Sequence, residues 1–527
     1  MSIISLNFIL LIFGTTILYY LVPKRFQWVV LLISSLGFYV LSCGYRVIYI
    51  LMTATATYGA ALLIESIRNR QKQYIKENKA TLTRDERKAL KNKSSKKQRA
   101  VLILTLIFNF GLLCVFKYCH FAIDSFNSLM TVLSLETVED KINWIMPLGI
   151  SFYTFQSVGY LVDVYWETSK AQKNYAKMLL FVSFFPQITQ GPIGDYEHLN
   201  GELFKEHSLT YDNFSRGFQR MIWGFAKKIL IANQISPIVN EVFARYNELS
   251  GVTCLFGAFG YSIQIYADFS GYMDIMCGIC EMFGITLEEN FERPYFSKSI
   301  AEYWRRWHIT LGTWFKKYIY YPIGVSKWNR NLGKKLSKKF GAHIGKTLPA
   351  SIALVVVWLT TGLWHGASWA YVAWGGVNGL FIIASLWLEP VYDKTKAKLK
   401  INESSFLWRA FQTIRTFLLV TVIKVLPEVG TLSDGIELWK RVFTNFAWYD
   451  FKPLLSEKSA SHYLVVFVIF TFILFVFDLI QRKQQVRTYF NRTPYPVRIV
   501  ILSVLLVLIF TFGLKSMHDG GFMYAQF

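Results

Sequence analysis

Charge is scarce in this sequence. Asp, Glu, Lys and Arg make up 17% of its 527 residues, against 53% hydrophobic and 17% aromatic. A soluble chain of this length would expose many more charges, so a water-soluble fold is excluded. Cysteine is scarce too. The six cysteines lie in or beside apolar runs and make no disulfide framework. Cys277 and Cys280 form a C-x-x-C, but no second pair completes a zinc site, and thiols buried in a helix are the simpler reading. No Gly-x-Ser-x-Gly nucleophile elbow occurs. There is no internal repeat of the kind that would favour a transporter. The first apolar stretch lacks a basic leader and a small-residue cleavage site, so it reads as a retained helix.

What the chain does have is apolar runs of membrane-crossing length. They cover residues 3–22, 28–43, 47–64, 101–116, 252–283, 348–363, 371–388, 406–425, 463–480 and 499–514. Two further runs, 147–164 and 178–193, are broken by Pro147, Gly149, Pro186, Gly191 and Pro192, and carry Gln156, Asp163, Gln187 and Gln190. Such interruptions suit short or re-entrant helices buried in protein. Residues 214–234 carry Arg216, Arg220, Lys227 and Lys228 one or two turns apart and read as an amphipathic, interfacial helix. The expected fold is an all-α polytopic membrane protein. It has roughly ten or more transmembrane helices plus re-entrant and interfacial ones, in a single domain over 1–527.

Acids are the scarcer charge, 34 against 57 Lys and Arg, for a net charge of +23. That excess invites a nucleic-acid reading, but its position argues against one. Segment 68–99 has thirteen basic residues and three acids; segment 298–346 has twelve and one. Nearly all the excess thus lies in two inter-helix segments, as the positive-inside rule expects, where lipid headgroups and anionic cofactors are the natural partners. The 66–99 segment reads as a cytoplasmic loop, a solvated helix or partly disordered. Residues 119–140 hold four acids and no Lys or Arg, and are expected outside. Both termini then fall outside the cell, the C-terminal tail being 515–527.

Chemistry concentrates between Glu302 and Gly379. The block opens with Tyr303-Trp304-Arg305-Arg306-Trp307-His308 and closes with Trp364-His365-Gly366-Ala367-Ser368-Trp369. Two histidines at the edges of a hydrophobic span are functional-site candidates, since imidazole moves protons near neutral pH. From the residues alone, His365 reads equally well as a helix-end histidine satisfied by a carbonyl, and His308 as a solvated histidine among cations. Asp268 and Asp274, six residues or about 600° apart on a helix, do not share a face. A metal pair is not expected there, and each aspartate is expected to pair with a buried Arg or Tyr.

These motifs, with Tyr266-Ala267-Asp268-Phe269-Ser270-Gly271-Tyr272, Glu289-Asn290-Phe291, Ser151 to Tyr165 and Phe184-Phe185-Pro186-Gln187, resemble the membrane-bound O-acyltransferase family. The likeness is to its bacterial alginate O-acetyltransferase branch and, more distantly, to the D-alanyl transfer proteins of teichoic acid. It covers a motif-bearing core over 143–380. The resemblance implies a tunnel through the helices and an acyl group passed from a cytoplasmic thioester, acetyl-CoA, to a polysaccharide acceptor outside. It implies a multi-pass protein of the bacterial cytoplasmic membrane with no permanently bound cofactor. An extracytoplasmic esterase-like partner of SGNH type is implied as well. His365 becomes the catalytic base, and His308 a residue for acyl positioning or proton transfer. Trp304, Arg305, Arg306, Trp307, Tyr266, Asp268, Ser270 and Trp364 become tunnel supports. Lys316 and Lys317 become a donor-phosphate site, although near relatives often have Arg-Asp there and commonly Asn at Ser368. The last six residues, Phe522 to Phe527, resemble a Phe-x-Tyr-x-x-Phe tail whose tyrosine, here Tyr524, accepts the acyl group before the partner does. From sequence alone the favoured reading of that tail is an aromatic interfacial anchor. A transporter or an envelope scaffold remains the alternative class.

Overall fold

In a computed structural model the chain is described over residues 5–140, 142, 144–450, 460–482 and 486–516. These residues are all-α; among them the only β pairing is one isolated antiparallel bridge, Phe291 to Trp307. Seven helical stretches are long and apolar enough to cross a membrane, and one of them, Lys24–Glu77, contains two helices. The shorter apolar helix Leu6–Leu21 and the 32-residue helix Gly251–Met282 add to these. The polytopic reading is therefore correct, and the helices Phe406–Val425 and Trp369–Trp387 fall within a residue or two of their expected bounds.

The residues pack as two compact units: 1–217 with 279–287, and 218–278 with 288–527. In the first, helix Ile150–Trp166 is buried along nearly its whole length, as its polar-interrupted sequence implies. Its Gln156 Nε2 donates to Gln187 Oε1 at 3.0 Å. Gly149 (φ 68°) starts it, and a Cβ there would overlap the Ile188 carbonyl, so only glycine fits.

The basic segment is largely the solvated helix that its composition allows: helix Val47–Glu77 runs on into it, a short turn follows at 78–83, and helix Arg84–Val132 begins inside it. A capping box, Thr83 with Glu86, starts the second helix. Arg68, by contrast, is not solvated. Its guanidinium donates to the carbonyls of Val164 and Tyr165 at 2.7 and 3.1 Å, at the C-terminal end of helix Ile150–Trp166. The acidic stretch 119–140 is helical as far as Val132, because 49 residues of uninterrupted helix carry through it. Single cysteines at Lys93 and Glu136 should report the sidedness. An impermeant thiol reagent applied to intact cells is expected to label Glu136→Cys and spare Lys93→Cys; labelling at Lys93 overturns the orientation.

Candidate functional site

His365 is the last residue of helix Ala342–His365, which folds back at once as Trp369–Trp387. The hairpin is tight because glycines let the backbones meet. A Cβ on Gly362 would overlap the Tyr371 carbonyl, and one on Gly375 the Trp358 carbonyl. At the turn, a Cβ on Gly366 would overlap the Tyr371 ring. Ser368 is the N-cap of the returning helix, its Oγ accepting from the Tyr371 N–H. Serine and asparagine are comparable N-caps, so the Ser368 departure leaves the turn's chemistry intact. This turn brings the His365 ring to 4.9 Å from Trp374 and 4.8 Å from Trp364, edge-on to both.

His308 is placed by a different device. It sits at φ 49° between the short helices Ile300–Arg306 and Ile309–Phe315. Histidine tolerates this left-handed region better than most residues, yet it is strained there and must be held. Asn290 holds it. The Asn290 Oδ1 faces His308 Nδ1 at 3.2 Å and accepts from both the N–H and the hydroxyl of Thr310 at 3.0 Å. Backbone bonds from Ile309 N–H to Asn290 and from Glu292 N–H to Arg306 clamp the same bend. The Glu289-Asn290-Phe291 motif is thus the cradle of His308. The ring lies outside the spanning helices and is fully buried; burial pushes its pKa down to about 3, so it is neutral. It is not a solvated histidine among cations.

Trp364 neighbours both histidines, its ring 6.0 Å from His308 and 4.8 Å from His365. Trp304 supports this wall, packed edge-on against Trp358 and Trp374 and donating from Nε1 to Asn378 at 3.0 Å. A cavity of about 30 Å³ opens beside His365, with Trp304, Trp307, Lys424 and Glu428 among its lining residues. That is room for a water or a single hydroxyl.

Lys424 and Glu428 were not anticipated. Lys424 is buried with its ammonium 3.5 Å above the Trp307 ring, within 5.3 Å of the Tyr295 and Tyr303 rings, and donating to the Tyr295 hydroxyl at 3.1 Å. One turn later, Glu428 accepts from the Tyr371 hydroxyl at 2.9 Å. The available signal was a lone lysine closing an apolar span, since an ionisable residue in that position is a site candidate by itself.

The remaining expected residues divide. Tyr266 donates to Asp478 at 3.0 Å. Asp268 pairs with Lys228 at 2.6 Å, and Ser270 accepts from Lys227 at 2.9 Å. Asp274 pairs with Lys227 and Arg220 at 2.7 and 3.0 Å. The aspartates do find cations: Asp274 pairs with an arginine, as expected, and with a lysine, and Asp268 pairs with a lysine. The helix Tyr211–Lys227 is amphipathic, as its sequence implies, but its basic residues do not all face the membrane surface. Lys227 and Lys228 are buried, at a π-helical turn (Lys228–Ala232), because acids on helix Gly251–Met282 offset their charge. Arg305 is exposed, and Arg306 pairs with Glu302 at 2.7 Å. Lys316 is exposed and Lys317 half-buried, each ammonium over a tyrosine ring, Tyr321 and Tyr318, in a second π-helical turn (Lys316–Tyr320). Tyr524 lies outside the described residues.

Residues 167–423 match MBOAT, the membrane-bound O-acyltransferase family. The probable alginate O-acetylase of Pseudomonas aeruginosa is 30% identical over 450 residues, covering 84% of this chain and 74% of that protein. The peptidoglycan O-acetyltransferase of Helicobacter pylori is 34% identical over 309 residues, 54% of each chain. The teichoic acid D-alanyltransferase of Bacillus subtilis is 28% identical over 243 residues, 44% of this chain and 57% of that protein. With two buried histidines that both neighbour Trp364, this multi-pass membrane chain belongs to the membrane-bound O-acyltransferase family.

Proposed function

We propose that this acyltransferase takes an acetyl group from acetyl-coenzyme A on the cytoplasmic side and delivers it outward for O-acetylation of an envelope polysaccharide. The membrane is the bacterial cytoplasmic membrane, and both termini lie outside. The observation that carries this reading is the row His308, Trp364, His365, with a hydroxyl-sized cavity beside the second histidine. A hydroxyl in that cavity gives its proton to His365 as its oxygen attacks the thioester carbonyl. The new C–O bond forms, the C–S bond breaks, and the imidazole returns the proton to the leaving thiolate. His308, neutral and rigidly held, positions the acyl group. The aromatic wall keeps water from the thioester. Lys316 and Lys317 hold the donor's phosphates as point charges.

Two of the relatives acetylate by name and one transfers D-alanine, which favours acetyl as the group carried. The immediate acceptor is Tyr524, a phenol whose ester stays activated for transfer to an SGNH-type partner outside and then to the polysaccharide. The test is purified full-length protein with labelled acetyl-CoA, followed for thiol release and for label on protein or added acceptor. Release at the blank rate removes the reading. His308→Ala should lower turnover by about 10- to 100-fold, less than the full range for a lost acid–base group, because His365 is intact. Tyr524→Phe keeps the ring and removes only the nucleophile. It is expected to stop polysaccharide acetylation while abundance and donor binding stay normal, and normal acetylation would make the tail an anchor.

A further inference from the structure

Lys424 is a buried cation held by aromatic rings. It is 6% exposed, and its ammonium stands 3.5 Å above the Trp307 ring with the Tyr295 and Tyr303 rings at 5.1 and 5.3 Å. Ring faces attract a cation without neutralising it. The Tyr295 hydroxyl donates its own hydrogen to the Ser262 carbonyl, so toward Lys424 it is an acceptor, at 3.1 Å. That engages one of the three N–H groups of the ammonium. Among the described residues no carboxylate forms an ion pair with it. The acid one turn along the chain, Glu428, gives its carboxylate to Tyr371 at 2.9 Å and to Tyr261 instead. Lys424 and His365 line the same cavity, the one of about 30 Å³. A charge in this place is costly to bury, and a leucine or methionine would serve packing better.

We propose that Lys424 is a catalytic residue, the donor that holds the oxyanion of the tetrahedral intermediate. This rests on the acyl-transfer reading above and adds to it the group that stabilises the developing charge. As the attacking oxygen bonds to the thioester carbon, its proton passes to His365 and the carbonyl electron pair moves onto the carbonyl oxygen. That oxygen and the attacking one then sit on the same carbon. The negative charge therefore arises beside the hydroxyl-sized cavity that Lys424 lines. An N–H of the ammonium not engaged by Tyr295 donates to it, as a charge-assisted hydrogen bond. When the carbonyl re-forms, the C–S bond breaks and the thiolate takes the proton from His365. The lysine ends as it began. A ground-state carbonyl carries only partial charge, so the ammonium binds the intermediate better than the substrate, which is the condition for raising kcat. The aromatic box accounts for the cation staying available. A carboxylate at contact distance would spend its charge, whereas ring faces and a tyrosine oxygen fix its place before the reaction and leave the charge to the oxyanion.

The test uses the full-length protein in detergent with acetyl-CoA as donor. Lys424→Met keeps the length of the chain and removes the charge. It is expected to lower kcat by about 10²–10³-fold, the usual loss for one oxyanion donor, while the KM for acetyl-CoA moves less than about twofold. Its melting temperature should not fall, because an uncharged chain costs less to bury in the box. Wild-type kcat in the variant overturns the proposal. So does a loss of activity matched by equal losses of donor binding and stability, which marks a structural role. A second arm needs no turnover. Carboxymethyl-coenzyme A places a carboxylate where acetonyl-coenzyme A has a neutral ketone. The wild type is expected to bind the anion about tenfold tighter or more, and Lys424→Met to lose that preference. No preference in the wild type overturns the proposal. If the wild type releases no thiol from acetyl-CoA, the acyl-transfer reading itself fails, and the analogue preference still decides whether Lys424 holds an anion.

Discussion

Replacing His365 by alanine is expected to abolish O-acetylation of the envelope, with the protein still present in the membrane at normal amount. A positioned base contributes about 10²–10⁴-fold, and the His308 imidazole is held elsewhere, with its Nδ1 facing Asn290. The structural cost is small by comparison. The ring leaves its place between Trp364 and Trp374, beside a cavity that already admits water-sized groups, while the Gly362 and Gly375 backbone contacts of the hairpin remain. Ester-linked acetate released from purified envelope, against protein abundance by immunoblot, separates the two effects. Wild-type acetate in the mutant would refute the catalytic assignment.

The largest expected effect on stability is elsewhere, at Asp268. This carboxylate is fully buried and holds the Lys228 ammonium at 2.6 Å, itself 3% exposed. Asp268→Ala leaves that ammonium buried without its carboxylate, an error of about 3–5 kcal/mol, enough to lower abundance and detergent melting temperature sharply. The double replacement Asp268→Leu with Lys228→Met fills the same space with carbon. It should recover most of the loss, because a buried pair replaced as a whole is often close to neutral. A single mutant that melts like the wild type would show that other groups already satisfy Lys228.

These two residues mark what could be read in the chain and what could not. His365 was legible because its motif is local: a span end, an aromatic, a histidine and a glycine in four residues. The helix Phe406–Val425 was legible because hydropathy is local too. Asp268 was visible as a charge in an apolar run, but its lysine partner lies forty positions earlier, on a segment whose own periodicity suggested a membrane surface. Lys424 drew no reading from the sequence, because the three aromatic rings that surround it come from 295–307, more than a hundred positions earlier. In the basic segment composition alone leaves helix and disorder open, while Thr83 and Glu86 spell the helix start that decides between them. Periodicity reports which face of an element is apolar; it does not report which distant element supplies the counter-charge.

The glycine contacts of the Ala342–His365 and Trp369–Trp387 hairpin bear on how the enzyme responds to its lipid. Where two helices touch through long side chains, a thicker or thinner bilayer can slide one past the other. Here backbone meets backbone at Gly362 and Gly375, and the helices are locked against sliding. Hydrophobic mismatch then acts on the hairpin as a rigid plank, which tilts to fit. Tilt moves both helices together, so the spacing of His365 to Trp374 is expected to hold across membranes of different thickness.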